Sequence, residues 1–217
     1  MKSLIIGNSQ AEGAGAILEG VLKKKGYTVK RLAKHGAVTK DLLALYDTVQ
    51  HPDYDLIVVF CGDPDNTGKL LDKFTGNPQV VWYGSAPATT ITNVSLAKKV
   101  FGSKIKNANT WFENGYAKQR EDNNIKMQAV LPQSVKHIDY RDIELPNSVE
   151  QKSNVSFPDL PDGIHITTAI AKSMFSAPNW PEATQSELAT VPSWVWWATG
   201  ATTAFTFAWW LFARSRR

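Results

Sequence analysis

Apolar and polar positions alternate in two rhythms along the first 175 residues, and a third regime follows. Short apolar runs predict strands at residues 2–7, Tyr27–Leu32, Asp55–Cys61, Gln79–Tyr83 and Val135–Tyr140. Asp55–Cys61 is apolar after its first residue, as a central strand of a parallel sheet requires. Between these runs the period lengthens. Ala14, Ile17, Leu18, Val21 and Leu22 recur at helical spacing over Glu12–Lys25, with Lys23, Lys24 and Lys25 at the negative end of the dipole and Gly26 closing the helix. Gly7 to Gly15 predicts a turn of small residues, and Gly36–Thr39 a loop. Further helices are expected at Lys40–Val49, Lys69–Phe74, a polar region over about 95–130, and Thr167–Phe175. Strands alternating with helices predict an α/β fold, a three-layer sandwich around a central parallel sheet of about five strands.

The third regime begins at Ser176. Pro178, Pro181 and Pro192 among small polar residues predict a linker over 177–192, which bounds a globular domain at 1–176. Trp194–Ala213 then runs without a charge, long enough as a helix of roughly 30 Å to match one hydrocarbon core. Trp194, Trp196 and Trp197 mark one end, Trp209 and Trp210 the other, as interfacial aromatic belts do. The expectation is a transmembrane helix over 193–213 with a basic tail, 214–217; a buried core helix is the alternative.

Charge changes the picture only by exclusion. The formal net charge is +4, but Arg214, Arg216 and Arg217 lie in the tail, which leaves 21 basic against 20 acidic residues elsewhere. A nearly neutral domain argues against an extended nucleic-acid surface. The single Cys61 excludes an intramolecular disulfide and reads as a buried thiol.

In parallel sheets ligands sit at the carboxyl ends of the strands. Ser9 follows the first strand, Gly36 the second, and Gly62–Asn66 the third, so all three fall on one edge. Near the end of the domain, Asp162-Gly-Ile-His165 holds a carboxylate and an imidazole three residues apart, half of a hydrolytic triad that needs a nucleophile. These blocks resemble the SGNH (GDSL-type) hydrolase family. Gly7-Asn8-Ser9 stands where that family has Gly-Asp-Ser, Gly36 matches its oxyanion glycine, and Asp162-Gly-Ile-His165 matches its last block. Val81-Trp82-Tyr83-Gly84-Ser85-Ala86-Pro87 is similar to a fourth-strand segment of bacterial and phage members. In the third block the family has Gly-x-Asn-Asp, whereas Gly62-Asp63-Pro64-Asp65-Asn66 places its Asn two positions late.

The resemblance spans residues 1–175. It implies a flavodoxin-like fold and a serine esterase free of cofactor and metal, with Ser9 as nucleophile, His165 as base and Asp162 as its orienting carboxylate. The oxyanion would meet the N–H groups of Ser9 and Gly36 and the Asn66 amide. It also implies an ester-bearing carbohydrate, peptidoglycan or lipid as substrate, with an O-acetyl group preferred. His35, His51 and His137 read as surface or structural residues, and Trp111, Phe112 and Tyr116 as either a pocket wall or part of a packed helix.

Two other classes compete. Gly7-x5-Gly13-x-Gly15 before a helix is the context of a nucleotide or flavin phosphate turn, but its spacing fits neither dinucleotide nor Walker patterns. A non-catalytic binding or structural protein at a membrane, on a degenerate hydrolase fold, would accommodate the displaced Asn66. As for location, a single-pass C-terminal anchor is expected. The basic tail favours an external domain, yet the N-terminal Leu4-Ile5-Ile6 is too short for a secretory apolar region. Carriage in a phage particle to the host envelope would reconcile the two.

Overall fold

The computed structural model describes residues 1–49, 53–140, 143 and 159–176, all within one compact unit, Met1–Pro178. Five strands form one parallel sheet: β1 (Lys2–Gly7), β2 (Thr28–Ala33), β3 (Leu56–Phe60), β4 (Gln79–Tyr83) and β5 (Val135–Ile138), in the order β2-β1-β3-β4-β5. The helices are α1 (Ser9–Lys24), α2 (Thr39–Tyr46), α3 (Thr67–Leu71), α4 (Val94–Phe101), α5 (Thr110–Glu113), α6 (Tyr116–Val130) and α7 (Thr168–Ser176). This strand order has its switch point between β1 and β3, where successive connections leave for opposite faces and open a crevice at the carboxyl edge.

The central strands are buried on both faces, which explains their unbroken apolar runs. Leu4, Ile6, Ile57, Val59, Val80 and Trp82 point to one face and pack with Leu42 and Tyr46 of α2, Leu70 of α3 and Met127 of α6. Ile5 and Phe60 point to the other, where α1 and α7 pack together. There Phe60 stacks on Tyr83 at 4.8 Å, and Phe175 of α7 meets both rings edge-on. Cys61, just past β3, is fully buried against Thr39, and burial pushes its thiol pKa up to about 11.

The sequence pattern misplaces the start of α1. Residues 7–15 are not a turn: the helix begins at Ser9, capped by Asn8, whose side chain accepts from Gln10 N–H at 3.0 Å. Two of the glycines that suggest a turn, Gly7 and Gly15, permit close packing instead. A Cβ on Gly7 would lie 2.5 Å from the Phe60 carbonyl oxygen, and one on Gly15 would lie 3.1 Å from Ile5 Cγ2. The polar 95–130 region also divides, into α4, a 3-10 turn at Gly102–Lys104, α5 and α6. Ala97, Ile105 and Trp111 from this excursion form a second small core with Ala88, Ile91 and Ile164.

The expected linker, transmembrane helix and basic tail lie outside the described residues. Among the described residues no helix is long and apolar enough to cross a membrane.

The contact at Gly7 gives a first prediction. Gly7→Ala forces β1 and α1 away from β3 and should destabilise the fold by about 2–4 kcal/mol. Urea unfolding followed by far-UV circular dichroism measures it; a loss below about 0.5 kcal/mol would contradict the close-approach account.

Candidate active site

Ser9 is the first residue of α1, so two constraints of the chain meet there. β1 delivers it to the carboxyl edge at the switch point, and the helix start leaves its backbone N–H without an intrahelical acceptor. The N–H groups of Gln10, Ala11 and Glu12 all go to Asn8, whereas among the described residues no backbone carbonyl takes the Ser9 N–H. The positive end of the α1 dipole therefore falls on Ser9 itself, one turn earlier than helical periodicity suggests.

From the other end of the domain, residues 160–166 bring in the carboxylate and the imidazole. Asp162 Oδ1 accepts the N–H groups of Ile164 (3.0 Å) and His165 (2.8 Å), which folds the segment into a tight turn. Asp162 Oδ2 lies 2.6 Å from His165 Nδ1, and His165 Nε2 lies 3.0 Å from Ser9 Oγ. A hydroxyl, an imidazole and a carboxylate are thus joined in series across a sequence separation of 156 residues. The Asp162 side chain is 8% exposed and that of His165 26%, so the carboxylate is inside while the imidazole reaches solvent. Burial raises the Asp162 pKa, but the bonds from the His165 ring and from the two N–H groups outweigh it. The net effect holds it below its usual 3.8.

A series of long-range contacts, none visible as a motif, holds this turn in place. Gln10, next to Ser9, donates from Nε2 to the Ile164 carbonyl at 2.9 Å and accepts from the Ile166 N–H at 3.4 Å. Trp111 Nε1 donates to the Asp162 carbonyl at 2.8 Å, which makes it a support under the turn. Phe112 on the same short helix is 51% exposed. Thr89 accepts from Leu160 N–H and donates its own N–H to Gly163. Gly163 has φ +77°, and a Cβ there would lie 2.5 Å from Trp111 Cδ1, so the glycine is required both by its conformation and by the indole.

Two further rings touch His165. Phe101, the last residue of α4, stacks on it with centroids 5.7 Å apart and planes 3° apart. His35 approaches to 6.0 Å, carried by a turn closed by the Ala37 N–H to Lys34 carbonyl bond. The side chain of His35 is 64% exposed, a surface residue as the sequence suggests, yet it stands beside the site. Its position next to Gly36 is the signal that could have placed it there.

Gly36 occupies that same turn at φ +67°, and among the described residues no backbone carbonyl takes its N–H. The turn is tied to the loop after β3, because Thr39 donates its N–H to Asp63 Oδ2 and its hydroxyl to the Asp63 carbonyl. In that loop Asn66 opens α3 with a left-handed backbone, φ 59°, and its side chain does not cap the helix. No hydrogen bond given for the described residues joins Asn66 to Ser9 or His165. The loop after β4 packs alongside. A Cβ on Gly62 would lie 1.7 Å from Ser85 Oγ, and Asn124 pairs with both backbone groups of Ser85. His137 lies in β5, and His51 lies outside the described residues. No group of three or more metal-binding side chains occurs among the described residues.

No protein-family model matches the chain, and no curated protein matches it in sequence. One solved structure that it resembles is described as a possible lipase from Chitinophaga pinensis DSM 2588. The two align with a TM-score of 0.44 at 15% identity, covering 81% of this chain and 95% of that one.

The Asp162 environment predicts an acid-sensitive contribution to stability. Because its folded pKa is depressed, the stabilisation is fully present above the usual 3.8 and is lost as the pH falls through the lower folded value. Asp162→Asn should cost about 2 kcal/mol at pH 7, with the gap to wild type closing on acidification. Urea unfolding at pH 7 and at pH 3 tests this; a gap that stayed constant would show that the carboxylate charge is not what the turn requires.

Proposed function

We propose that the protein is a serine ester hydrolase of the SGNH type, and the observation that carries this reading is the Ser9–His165–Asp162 chain at the carboxyl edge of the sheet. Ser9 Oγ attacks the acyl carbonyl as His165 Nε2 takes its proton. Asp162 holds Nδ1–H and so fixes the tautomer and the ring orientation. The tetrahedral oxyanion meets the Ser9 and Gly36 N–H groups in the field of the α1 N-terminus, with the Asn66 amide as the third donor. As the intermediate collapses, His165 returns the proton to the leaving alcohol. Water then attacks the acyl-Ser9 by the same route and releases the acid. Phe101, stacked on the imidazole, restricts the ring's rotation.

The acyl group is small, an O-acetyl ester on a carbohydrate or peptidoglycan ahead of a lipid ester, a preference inherited from the family resemblance. The Trp194–Ala213 segment anchors the enzyme in a bilayer, and a phage particle delivers it to the host envelope. A binding protein on the same fold remains the second reading, because Pro64 occupies the place of the family's oxyanion asparagine.

Hydrolysis of p-nitrophenyl acetate by the full-length chain tests the proposal. Ser9→Ala and His165→Ala should each lower kcat by at least about a thousandfold, and a fluorophosphonate should label Ser9 in wild type alone. A folded wild type that neither turns over the ester nor takes the label would sink the hydrolase and leave the binding protein. Asn66→Ala separates the third donor from the other two. It should lower kcat by about a hundredfold with KM little changed; an unchanged kcat would remove Asn66 from the oxyanion hole.

A further inference from the structure

The helix that ends on the site residue His165 turns an unusual surface outward. Across α4 the inner positions Val94, Ala97 and Phe101 belong to the small core under the site. Leu96 and Val100, one helical turn apart, are 41% and 45% exposed. Of the exposed lysines of this stretch, Lys99 projects beside the pair, Lys98 lies on the opposite flank of the helix, and Lys104 and Lys106 follow just after it; none forms an ion pair with a described residue. No acidic residue occurs from Lys73 through Phe112, and the first one after it, Glu113, is bonded to Asn107. A purely solvating helix face would carry mixed charges and no adjacent exposed aliphatic pair. A surface made for a polyanion alone would have no use for Leu96 and Val100. Both features together fit one environment, an apolar layer beneath anionic head groups. Aliphatic side chains enter that layer while flanking ammonium groups pair with phosphates at its boundary.

We infer that the α4 face docks the domain on an anionic lipid bilayer surface. Because Phe101 at the end of α4 stacks on His165, docking would place the site at the rim of the contact. Access to membrane-borne esters is the part that rests on the hydrolase proposal; binding to the bilayer does not. Attraction is short-ranged and salt-dependent, falling off within a Debye length of about 8 Å at physiological ionic strength.

The test uses the full-length chain carrying Val100→Cys labelled with the polarity-sensitive dye NBD. The one native thiol, Cys61, is buried and protonated far above neutral pH. A second chain carries the label at Val130→Cys, an exposed position at the end of α6 where the chain turns toward the opposite edge of the sheet. Vesicles of phosphatidylcholine with 30% phosphatidylglycerol should shift the Val100→Cys emission to the blue and leave the Val130→Cys emission unchanged. The dye reads α4 alone, so insertion of the C-terminal segment does not imitate the result. Lys99→Gln should weaken the vesicle titration of that shift about fivefold. Hydrolysis of soluble p-nitrophenyl acetate should be unchanged in that variant.

An equal shift with pure phosphatidylcholine, or no shift at all in a chain whose circular dichroism is native, would overturn the inference. So would protection by an acidic polysaccharide in place of vesicles, which would assign the lysines to a polymer. Binding by a chain that hydrolyses no ester would support the docking surface and count against the hydrolase.

Discussion

How closely α1 can approach the sheet decides where everything at the carboxyl edge stands. Gly7 and Gly15 let the helix lie against Phe60 and Ile5 without intervening side chains. Only from that position does Ser9 emerge at the switch point with its N–H facing outward. The same approach brings Gln10 within reach of the Ile164 and Ile166 backbone, so one helical turn positions a hydroxyl and also grips the segment that carries the imidazole. A few tenths of an ångström at two glycines are therefore transmitted to the 3.0 Å separation between Ser9 Oγ and His165 Nε2. Close-packed interiors convert such small displacements into misplaced side chains because they have little room to absorb them.

The carboxylate and the imidazole are handled differently from each other. Asp162 is enclosed, which would disfavour its charge, and three bonds aimed at its oxygens reverse that preference. His165 keeps an open edge and is set between two rings, Phe101 and His35. Rigidity is thus spent on the group that orients, while the group that would exchange protons stays in contact with solvent.

Much of this architecture is legible in the chain because burial on two faces leaves a signature. β3 and β4 are apolar runs with no alternation, and they lie at the centre of the sheet. Helix α1 shows why some boundaries are not legible. Gly7, Asn8, Ser9, Gly13 and Gly15 have the composition of a turn, and only knowledge of what presses against them distinguishes a turn from a closely packed helix. The 95–130 region reads as helical in bulk, but its breaks depend on local caps such as Asn93 and on the burial of Trp111, which no period predicts. Motif spacing names Ser9, Asp162 and His165, and the fold joins them by hydrogen bonds. Gln10, Thr89 and Phe101 are silent in sequence, and Trp111 is marked there without its role, because each acts through a partner more than fifty residues away. Asn66 shows the reverse problem: its residue type suits an oxyanion donor, while its spacing leaves the geometry undetermined until the loop is built.

The packing of α7 on α1 has a consequence for biosynthesis. His165 follows Ser9 by 156 residues, so the hydroxyl and the imidazole are without each other while everything between them is being translated. Local units such as α1 with β1 and β2 can form early, but the segment that carries the imidazole must wait for the sheet on which α7 docks. A nascent or prematurely terminated chain, even one long enough to contain all five strands, would lack the Ser9–His165–Asp162 series of hydrogen bonds. The hydrogen-bonded chain at the carboxyl edge therefore forms late, with completion of the fold.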